Sequence, residues 1–158
     1  MEFIRRRTDY ALRCLVDLAE IEKGNIVSVH ALAQREDIPE DLLQKIMHTL
    51  AVAGIVKATR GRTGGFRLAK PPESITVLEV LERLQGGFAL NKCFLEGEHC
   101  RRQDVCWLRS KLQSIQQEIV QFFQGVSLAD LTHHGSGPAK GFSLGQAVQE
   151  TPTQNPVR

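Results

Sequence analysis

The sequence predicts a mainly α-helical protein with one small β-hairpin, and three observations predict it. Two short amphipathic segments lie at about 29–35 and 40–53, each with a helix-start signal and joined by a tight connection. A glycine-centred hairpin pattern, IVKATRGRTGGFRLAK, follows the second of them directly. Beyond Cys106, apolar residues recur in alternating four- and three-residue steps over a long run. Together these describe a winged helix-turn-helix followed by a long C-terminal dimerisation helix.

Taken in order, Thr8 is a cap for a first helix over about 9–22, with Ala11, Leu12, Leu15, Val16 and Ala19 on one face and Gly24-Asn25 as its stop. Ser28 opens a short second helix, with Val29, Leu32 and Ala33 inward. The third helix starts after Pro39 and stops at Gly54. Its apolar set, Leu43, Ile46, Met47 and Leu50, turns Asp41, Gln44, Lys45 and His48 outward. After the hairpin, Thr76 and Glu79 form a capping box for a fourth helix through Leu84, closed by Gly86-Gly87. From Cys106 to Gln124 the seam is Leu108, Leu112, Ile115, Ile119 and Phe122. A helix of that length spans about 28 Å, more than a small head needs to cover itself, so a homodimer is expected. SLADL makes one further turn, and from Gly135 the Gly, Pro, Gln and Thr content predicts a disordered tail. The expected organisation is a DNA-binding domain over 1–87, a cysteine-rich loop over 88–107, a dimerisation segment over 106–134 and a tail over 135–158.

Composition narrows the function. The chain has 158 residues and a net charge of +2, too small to announce a nucleic-acid partner. Charge is uneven, however: Lys57, Arg60, Arg62, Arg67 and Lys70 crowd the hairpin without an acidic neighbour, and Arg5, Arg6 and Arg7 form a second group. The N-terminus lacks a signal-peptide pattern and no apolar run approaches a membrane span, so a cytoplasmic, reducing setting without membrane contact is expected. No nucleophile-base pair or phosphate-binding glycine loop appears, which argues against an enzyme.

The outward face of the third helix carries side chains that read base edges. Gln44 can pair bidentately with adenine, and Lys45 and His48 reach guanine acceptors or phosphates in a major groove about 12 Å wide. Arg62, at the hairpin tip between Gly61 and Gly64-Gly65, suits a narrow, electronegative minor groove. Lys57, Arg60 and Arg67 suit phosphates, with Arg60 and Arg62 the favoured pair because strand alternation cannot aim all of them one way. The expected partner is a double-stranded DNA operator.

Cys14 shares the apolar stripe of the first helix and reads as a core residue. Cys93, Cys100 and Cys106 are different, since CFLEGEHCRRQDVC is polar and offers them no core. Their spacing, Cys93-x6-Cys100-x5-Cys106, lacks the short C-x2-C knuckles of structural zinc sites and suits a larger object such as an iron-sulfur cluster. Three thiolates leave one iron of a 4Fe-4S cluster needing another donor. His99 is one candidate, and with the cysteines it equally completes a zinc site. A zinc- or thiol-based redox switch therefore stays open, as does an iron-sulfur scaffold that never meets DNA. His30, His133 and His134 have no partner pattern and read as surface residues.

With TDYALR at the start, RGRTGGFRL in the wing, ITVLEVLE in the fourth helix and the three cysteines before a long helix, residues 1 to about 134 resemble the Rrf-two family of winged-helix transcription regulators. The resemblance implies a homodimer with intersubunit long helices, a palindromic operator and an iron-sulfur cluster that controls DNA affinity. IscR-like members place a histidine ligand three residues after the last cysteine. This chain has Arg109 there, and a guanidinium that is always protonated cannot ligate. NsrR-like members instead use an aspartate at the start of the first helix, donated by the partner subunit, and Asp9 matches it. The implied metal ligands are thus Cys93, Cys100, Cys106 and Asp9. The Asp9 match favours a 4Fe-4S cluster, while the first cysteine spacing, one residue longer than in IscR-like members, leaves 2Fe-2S open. The function expected is that of a repressor whose cluster senses nitric oxide, redox stress or iron-sulfur status.

Overall fold

A computed structural model describes residues 3–21, 24–61, 63–94 and 100–132. Arg62, His99, His133, His134 and the expected tail lie outside them. The elements are α1 (Arg6–Glu20), α2 (Val29–Glu36), α3 (Glu40–Val52), β1 (Val56–Thr59), β2 (Gly65–Leu68), α4 (Val77–Gln85), α5 (Trp107–Gly125) and α6 (Leu128–Leu131). Mostly helical with a two-stranded antiparallel hairpin, this is the winged helix-turn-helix that the sequence predicts.

One core holds the head together. Ala11, Cys14 and Leu15 of α1, Leu32 of α2, Leu43, Ile46 and Leu50 of α3, and Val80 of α4 are buried in one cluster with Ile55, Val56 and Ile75. Between α2 and α3 the chain turns through Asp37 at φ 53°, a left-handed conformation that aspartate tolerates better than most residues. Ser28 caps α2 by accepting from the Ala31 N–H at 3.1 Å, as its sequence position predicts. Two ion pairs, Arg13 with Glu36 at 2.9 Å and Arg35 with Asp17 at 3.2 Å, join α1 to α2.

The first helix starts earlier than expected. Arg5, not Thr8, occupies the cap position, and Thr8 is a fully buried helical residue whose hydroxyl donates to Gln85 Oε1 at 2.8 Å. The same oxygen accepts the Arg5 N–H at 3.1 Å, so an amide from α4 takes over the capping work. Gln85 Nε2 in turn donates to the carbonyls of Phe3 at 3.1 Å and Gly87 at 3.2 Å. The capping box of α4 is half formed. Thr76 accepts from the Glu79 N–H, but the Glu79 carboxylate pairs with Lys70 at 2.7 Å. Lys70 is thereby withdrawn from the basic hairpin patch.

The hairpin pairs Val56 with Leu68, Lys57 with Arg67, Ala58 with Phe66 and Thr59 with Gly65. A third short stretch, absent from the sequence reading, joins it: Val27 and Phe66 exchange backbone hydrogen bonds of 2.9 and 2.8 Å. That makes β2 the middle strand. Gly65 permits the approach, because a Cβ there would stand 2.1 Å from the Val27 carbonyl oxygen.

Past the cysteines, α5 splits its seam. Ile119 and Phe122 pack with Val120 and Phe123 onto a second cluster of Val77, Leu81, Phe88 and Val126, whereas Leu108 and Ile115 are 46% and 48% exposed. The chain then returns to the head. Val77 N–H donates to the Val126 carbonyl and Leu128 N–H to the Ile75 carbonyl, both at 2.9 Å, and Leu128 is fully buried in the main core. SLADL is therefore a core element as well as an extra turn.

Three measurements follow from this packing. Gly65→Ala should lose about 2–4 kcal/mol in denaturant unfolding, since a methyl group and the Val27 carbonyl cannot share that space. Gln85→Leu should lose about 1–3 kcal/mol, mostly by stranding the buried Thr8 hydroxyl, and Gln85→Glu, which keeps the acceptor, should lose less. Burial, with Glu36 and Asp17 adding, pushes the Cys14 thiol up to about 12. An unfolded thiol deprotonates at lower pH, so this contribution is complete below pH 9.0 and declines as pH rises towards 12. Iodoacetamide at pH 8 should label Cys14 only after denaturation.

Candidate functional site

The core pattern of α3 decides what its other face offers. With Leu43, Ile46, Met47 and Leu50 fully buried, Gln44, Lys45 and His48 are exposed along one side, with Asp41 one turn before them. At the start of the helix His30 Nδ1 lies 2.9 Å from Glu40 Oε2, linking the first turns of α2 and α3. His30 is a surface residue, as expected, but it has this partner.

β1 begins four residues after α3 ends, and the wing extends the polar surface. Lys57 is exposed and stands directly opposite half-buried Arg67. Like charges in such a pair repel, and an anion lying across them relieves the repulsion. Arg60 is exposed where β1 leaves the hairpin. Among the described residues of the wing, the basic side chains available are Lys57, Arg60 and Arg67, with Lys70 held by Glu79.

The cysteines lie between α4 and α5 in the chain. Cys93 is half-buried in a short turn, Lys92–Phe94. Cys100 is exposed, and its carbonyl accepts from the Gln103 N–H at 3.0 Å. Cys106 is half-buried at the N-cap of α5, where its Sγ accepts from the Arg109 N–H at 3.4 Å. All three are free thiols. N–H donors aimed at a sulfur are one of the ways a protein tunes a thiolate-bound metal centre.

Arg109, a residue the sequence reading only ruled out as a ligand, joins two of these positions. Its guanidinium lies over the Phe94 ring at 5.5 Å, beside Cys93, while its backbone N–H donates to the capping sulfur of Cys106. Its Nε is buried without a hydrogen-bond partner among the described residues. Gln116, also unremarked in the sequence, fixes the segment leading to Cys93: its side chain accepts from Leu90 N–H at 2.8 Å and donates to the Phe88 carbonyl at 2.7 Å. Phe88 stacks on Phe3 and Phe123 with centroids 5.8 and 5.5 Å apart. No sequence period marks either residue, because Arg109 acts through a ring fifteen residues back and Gln116 through backbone groups 26 and 28 residues back.

Asp9 lies in the first turn of α1, one residue beyond the Thr8 held by Gln85. Its carboxylate is exposed in a notch of about 340 Å³ lined by Ile4, Arg6, Asp9 and Leu12, and has no partner among the described residues. Within one chain, no three His, Cys, Asp or Glu side chains among the described residues are close enough to hold a metal ion. The donor chemistry nevertheless suits an iron-sulfur cluster: three free thiols outside both apolar clusters, and one carboxylate without a partner among the described residues.

No helix among the described residues is long and apolar enough to cross a membrane. Comparison with known proteins bears on the whole arrangement. The family model described as "Rrf2: Iron-dependent Transcriptional regulator" matches residues 4–134. The HTH-type transcriptional regulator NsrR of Bacillus licheniformis is 33% identical over 125 residues, covering 78% of this chain and 87% of that protein. Among solved structures, CymR, the global cysteine regulator of B. subtilis, superposes with a TM-score of 0.69 at 24% identity, covering 86% of this chain and 100% of that one. IscR of T. potens gives 0.65 at 24% identity, covering 81% and 84%. These relatives are regulators and not enzymes, and the chain belongs to the Rrf2 family of DNA-binding transcriptional regulators.

Proposed function

We propose that this regulator is a homodimeric repressor of a palindromic operator, controlled by an iron-sulfur cluster held by Cys93, Cys100 and Cys106 with Asp9 of the partner subunit as fourth ligand. The observation that carries the reading is the position of the thiols. They are free, they lie outside both apolar clusters, and the segment bearing Cys93 is fastened to α5 by Gln116. Asp9 supports it from the other side as an exposed, unpaired carboxylate on the DNA-binding head. The open N-terminal half of α5, with Trp107 78% exposed beside Leu108 and Ile115, is the surface for the second subunit.

A cluster with one oxygen ligand would supply iron open to attack by nitric oxide or oxidants, because a hard donor holds that iron less firmly than thiolate does. The chain's own residues supply the rest. α3 presents Gln44, Lys45 and His48 to the major groove, and Arg60 and Arg62 of the wing hold the backbone and minor groove. A dimer needs half-sites about 34–36 Å apart or a multiple of that. A ligand contributed across the dimer at Asp9 bears on that spacing, since Asp9 sits on the same head as α3.

A second reading keeps the same thiols without a cluster, as a zinc- or thiol-based switch, and the fold shared with a cysteine regulator favours keeping it in view. A scaffold that never meets DNA is set aside by family membership.

Anaerobic purification separates the two readings. The cluster reading expects visible absorbance that nitric oxide bleaches, together with different operator affinity before and after bleaching; a colourless protein with the same thiol-dependent DNA binding selects the switch. Asp9→Ala should remain dimeric and lose or convert its cluster, and an unaltered spectrum and cluster lifetime would move the fourth ligand elsewhere. Arg60→Ala combined with Arg62→Ala should lower duplex affinity and flatten its salt dependence by about two phosphate contacts. Unchanged salt dependence would take the wing out of the interface.

A further inference from the structure

We propose that Asp41 is a specificity-determining residue that reads a cytosine in each operator half-site, and that it does so by penalising every other base edge presented to it. The inference rests on the placement of α3 in the major groove given above. In a helix-turn-helix, the N-terminal residues of the recognition helix are the ones that reach base edges, and this chain puts two carboxylates there, Glu40 and Asp41. They are not equivalent. Glu40 is engaged by His30 at 2.9 Å, whereas Asp41 is exposed and has no partner among the described residues, Lys45 one turn on included.

An unpaired carboxylate entering a groove walled by phosphates meets an unfavourable field, so it is tolerated only where a base donates to it. In the major groove guanine offers N7 and O6 and thymine offers O4, all acceptors that repel a carboxylate. Adenine has a donor at N6 but sets the N7 acceptor beside it, while cytosine N4 is a donor without an adjacent acceptor on the same base. Cytosine is therefore the match. Gln44 and Lys45, at i+3 and i+4 on the same face, read neighbouring positions with attractive contacts. Asp41 works differently, lowering affinity for non-matching DNA more than it raises affinity for the operator.

The ordinary alternative is that Asp41 only complements the helix dipole in the first turn. Selection from a random-sequence duplex pool, using the full-length protein purified anaerobically, distinguishes the two. The wild type should enrich sites with one C·G pair per half-site whose replacement lowers affinity roughly 5- to 150-fold. Asp41→Asn, which presents a donor and an acceptor together, should shift that position from cytosine to adenine. Asp41→Ala should lose preference there and bind a mixed-sequence duplex several-fold more tightly. Thermal melting of each variant separates these effects from helix stability. If all three proteins enrich the same sites with the same single-base penalties, Asp41 has no reading role. A pool in which the wild type enriches nothing would overturn the placement of α3 itself, and this proposal with it.

Discussion

The side-chain amide of Gln85 is the point at which two distant stretches of chain meet, residues 3–8 and 85–87. Its oxygen accepts from Arg5 and Thr8 and its nitrogen donates to Phe3 and Gly87, so the start of α1, the end of α4 and the turn leaving the head are held by one group. Each bond alone is worth only about 0.5–1.5 kcal/mol net, but they are made by a single planar amide and cannot be exchanged one at a time. Much else is arranged around this point. Phe3 is placed to stack on Phe88, Ile4 and Leu12 join the second apolar cluster, and Asp9 is set at a fixed position on the rim of the head.

Gln116 repeats the device on the next segment. It holds Phe88 and Leu90 by their backbones, so the strap between α4 and the first cysteine is tied to α5, and the Phe88 ring also meets Phe3 ahead of α1. Since Val126 and Leu128 return to pair with Val77 and Ile75, the far end of α5 is also fixed to the head. What remains open is the near end, where Cys106 caps the helix and Leu108 and Ile115 face outward. By contrast, the exposed ion pairs between α1 and α2 contribute little to stability individually, and the helix-turn-helix depends on its apolar core.

The parts legible in the sequence are those governed by local rules. Ser28 before α2, Pro39 before α3 and the burial period of Leu43, Ile46 and Leu50 fix elements whose partners lie a few residues away, and that same period exposes Gln44, Lys45 and His48 without further information. Thr8 misled because its residue type fits a cap equally well, while the competing amide lies 77 residues along the chain. Glu79 had a local partner in the capping box and took Lys70 instead. Val27 carries no strand signal, because one bridging residue leaves no alternation to read. For the thiol segment, the spacing of the cysteines is visible, but the roles of Arg109 and Gln116 depend on a ring and two backbone groups that no spacing encodes.

The bridge that joins Val27 to the hairpin at the base of the wing carries a geometric consequence. Val27 hydrogen-bonds Phe66 in the middle strand, and the next residue, Ser28, caps α2. The wing is thus not a flap hinged on β1 alone but is clasped from both sides, and its root shares a joint with the helix-turn-helix. On the binding mode proposed above, an operator would present its two grooves to α3 and to the wing at a single offset.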